Sequence, residues 1–254
     1  MDILLGSKIN RLLSYGVYGG LFFSEWLSKM GYSAQLVKRY KDNGWLEALA
    51  NGVMFRRNEK LSALAAVHSF NTQTGKNVRI AAHSALELHG FSHYIPMGKS
   101  KLMISFDPLK PKEWIKSDKF DMSIVSFSTG IFTDPQTQLL KKDNLKLIVS
   151  TPEQAFLECL HLVPTHYNYM DLYYLMEQLT SLDPQGVQKA LENTSSQRVK
   201  RMFLYMAEKA SHYWFDMLNP DTLGITGSKL QLVENGTYIS KYKITVPKEL
   251  NDYE

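Results

Sequence analysis

The stretch that most constrains this chain is GYSAQLVKRYKDNGWLEALANGVMFRR, residues 31–57. Its first half is amphipathic at helical spacing. Leu36, Val37 and Tyr40 share one face, while Gln35, Lys38, Arg39 and Asp42 recur at i, i+3, i+4 and i+7 on the other. Ser33 is placed to cap the first turn, because its side-chain oxygen can accept an orphan N–H. Asn43-Gly44 stops the helix, since both residues tolerate left-handed backbone. The second half reads as a hairpin. Trp45-Leu46-Glu47-Ala48 and Val53-Met54-Phe55-Arg56 flank Asn51-Gly52, where a type I′ turn with two positive φ angles is expected. A helix with a basic outer face, then a hairpin ending in Arg56-Arg57, is the layout of a winged helix-turn-helix.

The preceding residues supply the rest of that layout. Ile3, Leu4, Leu5, Ile9, Leu12 and Leu13 fall at helical intervals, and Gly16, Gly19 and Gly20 end the pattern. A short extended piece is expected before Leu21-Phe22, then a second helix over residues 24–30 with Phe23, Trp26, Leu27 and Met30 inward. Second helix, short turn, third helix and hairpin follow in the order a winged domain requires. Trp26, Tyr40 and Trp45 read as core residues rather than base-stacking platforms. Charge points the same way. Of the net +4, residues 1–60 hold nine Lys and Arg against five Asp and Glu, and residues 61–254 hold twenty of each. A basic excess confined to one end suggests a polyanionic partner there.

Two further helices are read over residues 61–70 and 80–88, with a polar turn at 72–76 between them. Pro96-Met97-Gly98 marks a boundary. It separates an N-terminal domain, residues 1–95 with a winged core at 1–58, from a C-terminal domain, residues 96–254. Strand composition appears at 102–106, 123–127 and 146–149. Thr151-Pro152 then opens a helical run, with Thr151 as cap and Pro152 at the first helical position, where its missing N–H costs nothing. Helical spacing covers 153–162, 169–179, 184–192 and 198–214, and a terminal hairpin is expected from 229–233 and 237–246 around Asn235-Gly236. The fold class is therefore mixed α/β (α+β): an N-terminal winged helix-turn-helix, then an α+β domain with a helical-bundle segment. Cys159 is the only cysteine, which excludes an intramolecular disulfide and fits a reducing cytoplasm. No run approaches the roughly 18 apolar residues of a membrane span. Lys8 and Arg11 interrupt the first helix, unlike a secretory leader.

The motifs that suggest chemistry dissolve on inspection. Gly98-Lys99-Ser100 resembles the end of a P-loop, but His93 stands where the first glycine belongs, and the flanking elements are in the wrong order. His83 and Glu87 are i, i+4, with His89 and His93 nearby, but Gly90 ends the helix before His93. Satisfied histidines are the preferred reading over a metal site. Cys159 and His161 point about 200° apart on a helix and cannot form a nucleophile–base pair. No Asp or Glu is followed two residues later by Lys, and there is no Gly-x-Ser-x-Gly or Gly-x-Gly-x-x-Gly. We therefore expect a non-enzyme without cofactor or metal. Lys200, Arg201, Lys229, Lys241 and Lys243 are candidates for a second basic surface, against a mixed-charge face as the plainer reading.

Five ordered blocks carry a resemblance. They are residues 31–57, AAHSALELHGFSHYIPMG at 81–98, STPEQAFLECLHLVP at 150–164, VKRMFLYMAEKASHYWF at 199–215 and KYKITVP at 241–247. Together they resemble the AbiEi family, antitoxins and transcriptional repressors of type IV toxin–antitoxin, or abortive-infection, systems. The resemblance implies a bidomain protein. Its winged domain would bind inverted repeats in double-stranded operator DNA upstream of the operon. Its C-terminal domain would counter a nucleotidyltransferase-like toxin without a stable complex, with two copies pairing on DNA and no membrane. On that reading Gln35, Lys38 and Arg39 reach bases. Ser33 with the helix N-terminus holds a phosphate, and Lys41, Asn51, Arg56 and Arg57 contact backbone or the adjacent minor groove. A winged protein-interaction module, and a C-terminal enzyme acting on the toxin or its product, stay open as alternatives.

Overall fold

The computed structural model describes residues 2–91, 99–107 and 109–253. The chain divides into two compact units that it visits alternately. The first comprises Met1–Ile80, Pro96–Ser128 and Leu139–Val149, and the second Ala81–Ile95, Thr129–Gln138 and Ser150–Glu254.

The first unit opens with α1 (Asp2–Tyr15), β1 (Phe22–Phe23), α2 (Ser24–Lys29), α3 (Ala34–Asp42), β2 (Leu46–Ala50) and β3 (Val53–Arg56). The strands form an antiparallel sheet in the order β1-β3-β2. This is the winged helix-turn-helix order. Its core is Ile9, Leu12, Phe22, Leu27, Tyr32, Val37, Tyr40, Leu46 and Met54, with Trp26 and Leu36 packed on it. Two glycines make both helix ends in the same way. After α2, Gly31 (φ +81°) donates to Ser28 O and Tyr32 N to Leu27 O; after α3, Gly44 (φ +75°) donates to Lys41 O and Trp45 N to Tyr40 O. These paired bonds are Schellman motifs, which need a left-handed residue at the turn. The expected type I′ turn does not form, because only Gly52 has positive φ, and a bulge between Ala48 and Ala50 takes up the register. Trp45 also departs from its expected core role and is 47% exposed.

The unit continues through α4 (Ala63–Thr74), β4 (Arg79–Ile80), β5 (Lys101–Ser105), β6 (Ser123–Phe127), β7 (Thr137–Lys142) and β8 (Leu145–Ser150). The last five form one mixed sheet in the order β6-β5-β4-β8-β7. α4 runs through most of the expected polar turn to a left-handed cap at Gly75, with the hydroxyls of Thr72 and Thr74 turned back onto the carbonyls of His68 and Phe70, at 2.8 and 2.6 Å. An aromatic cluster joins distant parts of the sequence. Phe70 lies 5.4 Å from Phe23, 5.7 Å from Phe106 and 5.8 Å from Trp114, ring centre to ring centre. The winged elements thus share one core with chain that returns after residue 96.

The second unit holds α5 (Ala82–Leu88), α6 (Pro152–His161), α7 (Tyr169–Gln178), α8 (Pro184–Glu192), α9 (Gln197–Lys209), β9 (Leu230–Gln231), β10 (Thr237–Ile239), β11 (Ile244–Val246) and α10 (Lys248–Asp252). Thr151 accepts from Gln154 N and Pro152 occupies the first turn, as expected for the cap. The terminal hairpin is rearranged. The expected strand at 237–246 splits in two, and β11 pairs antiparallel with β10 and parallel with β9. The fold is mixed α/β, of the α+β kind, throughout.

Candidate nucleic-acid interface

Helix α3 is built to present its polar side. Val37 and Tyr40 are buried, whereas Gln35, Lys38, Arg39 and Lys41 are exposed. No ion pair or side-chain hydrogen bond among the described residues engages those four. Ser33 accepts from Leu36 N at 3.3 Å, so it caps the helix while its hydroxyl hydrogen stays available as a donor. Arg57 lies at the other end of the helix. Its guanidinium is so close to Gly44 that a Cβ there would sit 2.7 Å from Nη1. A cation beside a helix C-terminus is favoured by the helix dipole.

The hairpin does not bring all its predicted residues together. Asn51 is exposed at the tip, where Gly52 O accepts from Ser24 N at 2.8 Å, next to the start of α2. Arg57 follows β3 at the base, so Asn51 and Arg57 lie at opposite ends of the hairpin. Arg56 belongs elsewhere. Its guanidinium pairs with Glu59 Oε1 at 2.7 Å, donates to Gly16 O at 2.6 Å and also donates to Leu13 O. It staples the end of α1 to β3, which removes it from the predicted phosphate contacts. Trp45, just outside α3, is an exposed aromatic that sequence reasoning placed in the core.

The second basic surface does not assemble as predicted. Lys200 and Arg201 are buried at 7% and 0% exposure. Lys200 donates to Leu223 O at 2.6 Å; Arg201 donates to Ser228 O at 2.6 Å, to Lys243 O at 3.3 Å, to Thr226 Oγ1 at 2.8 Å and to Thr226 O. Burial lowers the pKa of both side chains. Lys229, Lys241 and Lys243 are all exposed, but Lys241 pairs with Glu208 and Lys229 sits 5.2 Å over the Tyr238 ring.

The histidine cluster is likewise structural where it is described. His83 Nδ1 is 2.6 Å from the Tyr167 hydroxyl, and His89 Nε2 is 2.9 Å from Ser150 O. His93 and Gly98 lie outside the described residues. Among the described residues no group of three His, Cys, Asp or Glu is placed to hold a metal ion. Cys159 is fully buried, and burial pushes its thiol well up, away from the reactive thiolate. No described helix is long and apolar enough to cross a membrane.

Charge separates more sharply by compact unit than along the sequence. The first unit carries twenty Lys and Arg against ten Asp and Glu, and the second nine against fifteen. The neutrality of residues 61–254 is therefore a basic and an acidic surplus of six each, cancelling. A basic winged-helix body joined to an acidic helical α+β body is the class of protein that this fold defines. Two sequence profiles take this further. Residues 6–97 match the N-terminal domain of the AbiEi antitoxin transcriptional regulators, and residues 109–247 match the AbiEi antitoxin transcriptional regulator of type IV toxin–antitoxin systems. The chain belongs to the AbiEi antitoxin family. Its fold is similar to that of the crystal structure of the RV2827C protein from Mycobacterium tuberculosis, with TM-score 0.56 over 88% of this chain and 85% of that one, at 12% identity. No curated protein matches the chain.

Proposed function

We propose that this protein is a cytoplasmic, non-enzymatic DNA-binding repressor. It autoregulates its own operon and serves as antitoxin to a nucleotidyltransferase-like toxin without forming a stable complex with it. Two copies would pair on inverted repeats. The observation that carries the reading is α3: its apolar face is locked into the winged core, while Gln35, Lys38, Arg39 and Lys41 stand exposed on the same rigid helix. A helix held this way can enter the major groove, where Arg and Lys pair with guanine and Gln with adenine. Ser33, Lys41, Asn51 and Arg57 supply backbone contacts, which set register rather than sequence.

The test is footprinting and titration on the DNA upstream of its gene. Arg39→Ala should cost about 1–3 kcal/mol of operator affinity and relax one base position. Arg57→Ala should weaken all sequences alike and flatten the salt dependence by about one unit of slope. Wild-type operator affinity in the Arg39→Ala/Arg57→Ala double variant would overturn the assignment.

A further inference from the structure

We propose that the β7–β8 hairpin is a second wing, contacting the phosphate backbone of the duplex that α3 reads. This inference rests on the DNA-binding reading above. Asp143 and Asn144 have φ of +48° and +64°, the two positive values that a type I′ turn requires. The turn therefore closes a tight two-residue hairpin at the edge of the five-stranded sheet. β7 is exposed along nearly its whole length, on both faces. Lys141 and Lys142 end it, and Lys146 stands exposed on β8. Consecutive strand residues point to opposite faces, so Lys141 and Lys142 make the tip basic from both sides.

Lysines on an edge strand also guard against edge-to-edge pairing. That role does not account for Lys146, which lies on the inner strand of the pair. Nor does it account for the charge around it. Other lysines of this unit are neutralised by ion pairs, as in Lys116–Glu113 and Lys119–Glu47. The ammonium groups of Lys141, Lys142 and Lys146 have no such partner among the described residues, and Asp143 is the only acid in the hairpin. An unpaired cationic tip on a unit with a surplus of ten positive charges is complementary to a phosphate chain.

The tip is also fixed relative to the winged core. Lys146 N donates to His68 Nδ1 on α4 at 3.0 Å, and Val149 pairs with Ile80 of β4. α4 in turn packs on α2 and β1 of the winged core. α4 thus links the hairpin to the winged core that carries α3. Cations held on a rigid frame lose less freedom on binding than cations on a loose tail.

The experiment compares full-length Lys141→Ala/Lys142→Ala with Lys110→Ala/Lys112→Ala, which removes the same charge from exposed sites elsewhere in the unit. Each is titrated with a duplex of the native upstream region and with a scrambled duplex, over a range of salt. The hairpin variant should lose about 1–2 units of salt slope, weaken equally on both duplexes and shorten the protected footprint on one side. The control should lose less than half as much slope. A hairpin variant with the wild-type slope, or one no different from the control, overturns the inference while the α3 reading stands. Wild-type protein that ignores both duplexes overturns both.

Discussion

Arg39 and Arg201 are the same residue on two helices, one in each compact unit; α3 buries Val37 and Tyr40, whereas α9 buries every residue from Val199 to Ala207. Arg39 stands in solvent on α3 without a described partner, whereas Arg201 on α9 is 0% exposed and donates to carbonyls at Ser228, Lys243 and Thr226. The difference follows from what surrounds them. Buried or half-buried backbone carbonyls must find donors, and irregular chain cannot supply its own. The segment from Leu223 to Ser228 has almost no regular structure, so Lys200 and Arg201 are consumed in holding it. Around α3 the Schellman turns satisfy the helix ends internally, and its cations are left over. Arg56 obeys the rule of the second unit inside the first, since the end of α1 presents the carbonyls of Leu13 and Gly16 to it. A basic residue is thus available to a partner only where the local backbone is already satisfied.

The largest effect expected from this contrast is on Arg201. Arg201→Met keeps volume and apolar stem but takes the charged donor away from the carbonyls of Thr226, Ser228 and Lys243, and should cost about 2–3 kcal/mol in urea unfolding. Arg39→Met should change stability by less than about 0.5 kcal/mol. Equal losses in the two variants would break the comparison.

A smaller effect separates two glycines that share a backbone role. Gly31 and Gly44 both close Schellman turns at positive φ, so Ala at either should cost about 1–2 kcal/mol from left-handed strain. Around Gly31 a Cβ meets nothing within 4 Å, but at Gly44 it would displace the Arg57 guanidinium. Similar melting temperatures, with weakened DNA binding only in Gly44→Ala, would sharpen the role of Arg57. Equal binding in the two would remove it.

What could be read in advance is what local chain chemistry decides. The cap at Ser33, the stop at Gly44 and the buried stripe of α3 depend on residues within one or two turns, and all three stand in the structure. The fates of Arg56 and Arg201 depend on carbonyls 40 to 43 and 25 to 42 residues away, which no periodicity reveals. β7 was illegible for another reason. TQLLKK lies at a sheet edge with nearly every side chain in solvent, so it carries no alternation. Its one available signal was Asp143-Asn144, a pair that tolerates left-handed backbone, set before the strand-like run at 146–149. The alternation of the chain between two units was hidden too, because the cluster of Phe23, Phe70 and Trp114 joins residues 91 positions apart in sequence.

The smallest effect tests whether the second unit's surface cations are also committed inward. Glu208 accepts from the Tyr242 hydroxyl at 2.8 Å and pairs with Lys241. Burial pushes its carboxyl up, but the hydrogen bonds from Lys241 and Tyr242 outweigh this and hold it below the usual range. A carboxylate with a lowered folded pKa stabilises the fold above its unfolded value, about 4.3, and loses that contribution as pH falls through the folded value. Since the Glu208 side chain is 40% exposed, solvent screening limits the contribution to about 0.5 kcal/mol. Melting curves of wild type and Glu208→Gln should therefore differ slightly at pH 7 and converge below pH about 4. A gap that persists into acid would assign the loss to the hydrogen bond with Tyr242 rather than to charge. Lys241 would then count with Lys243 among the cations that the second unit leaves free.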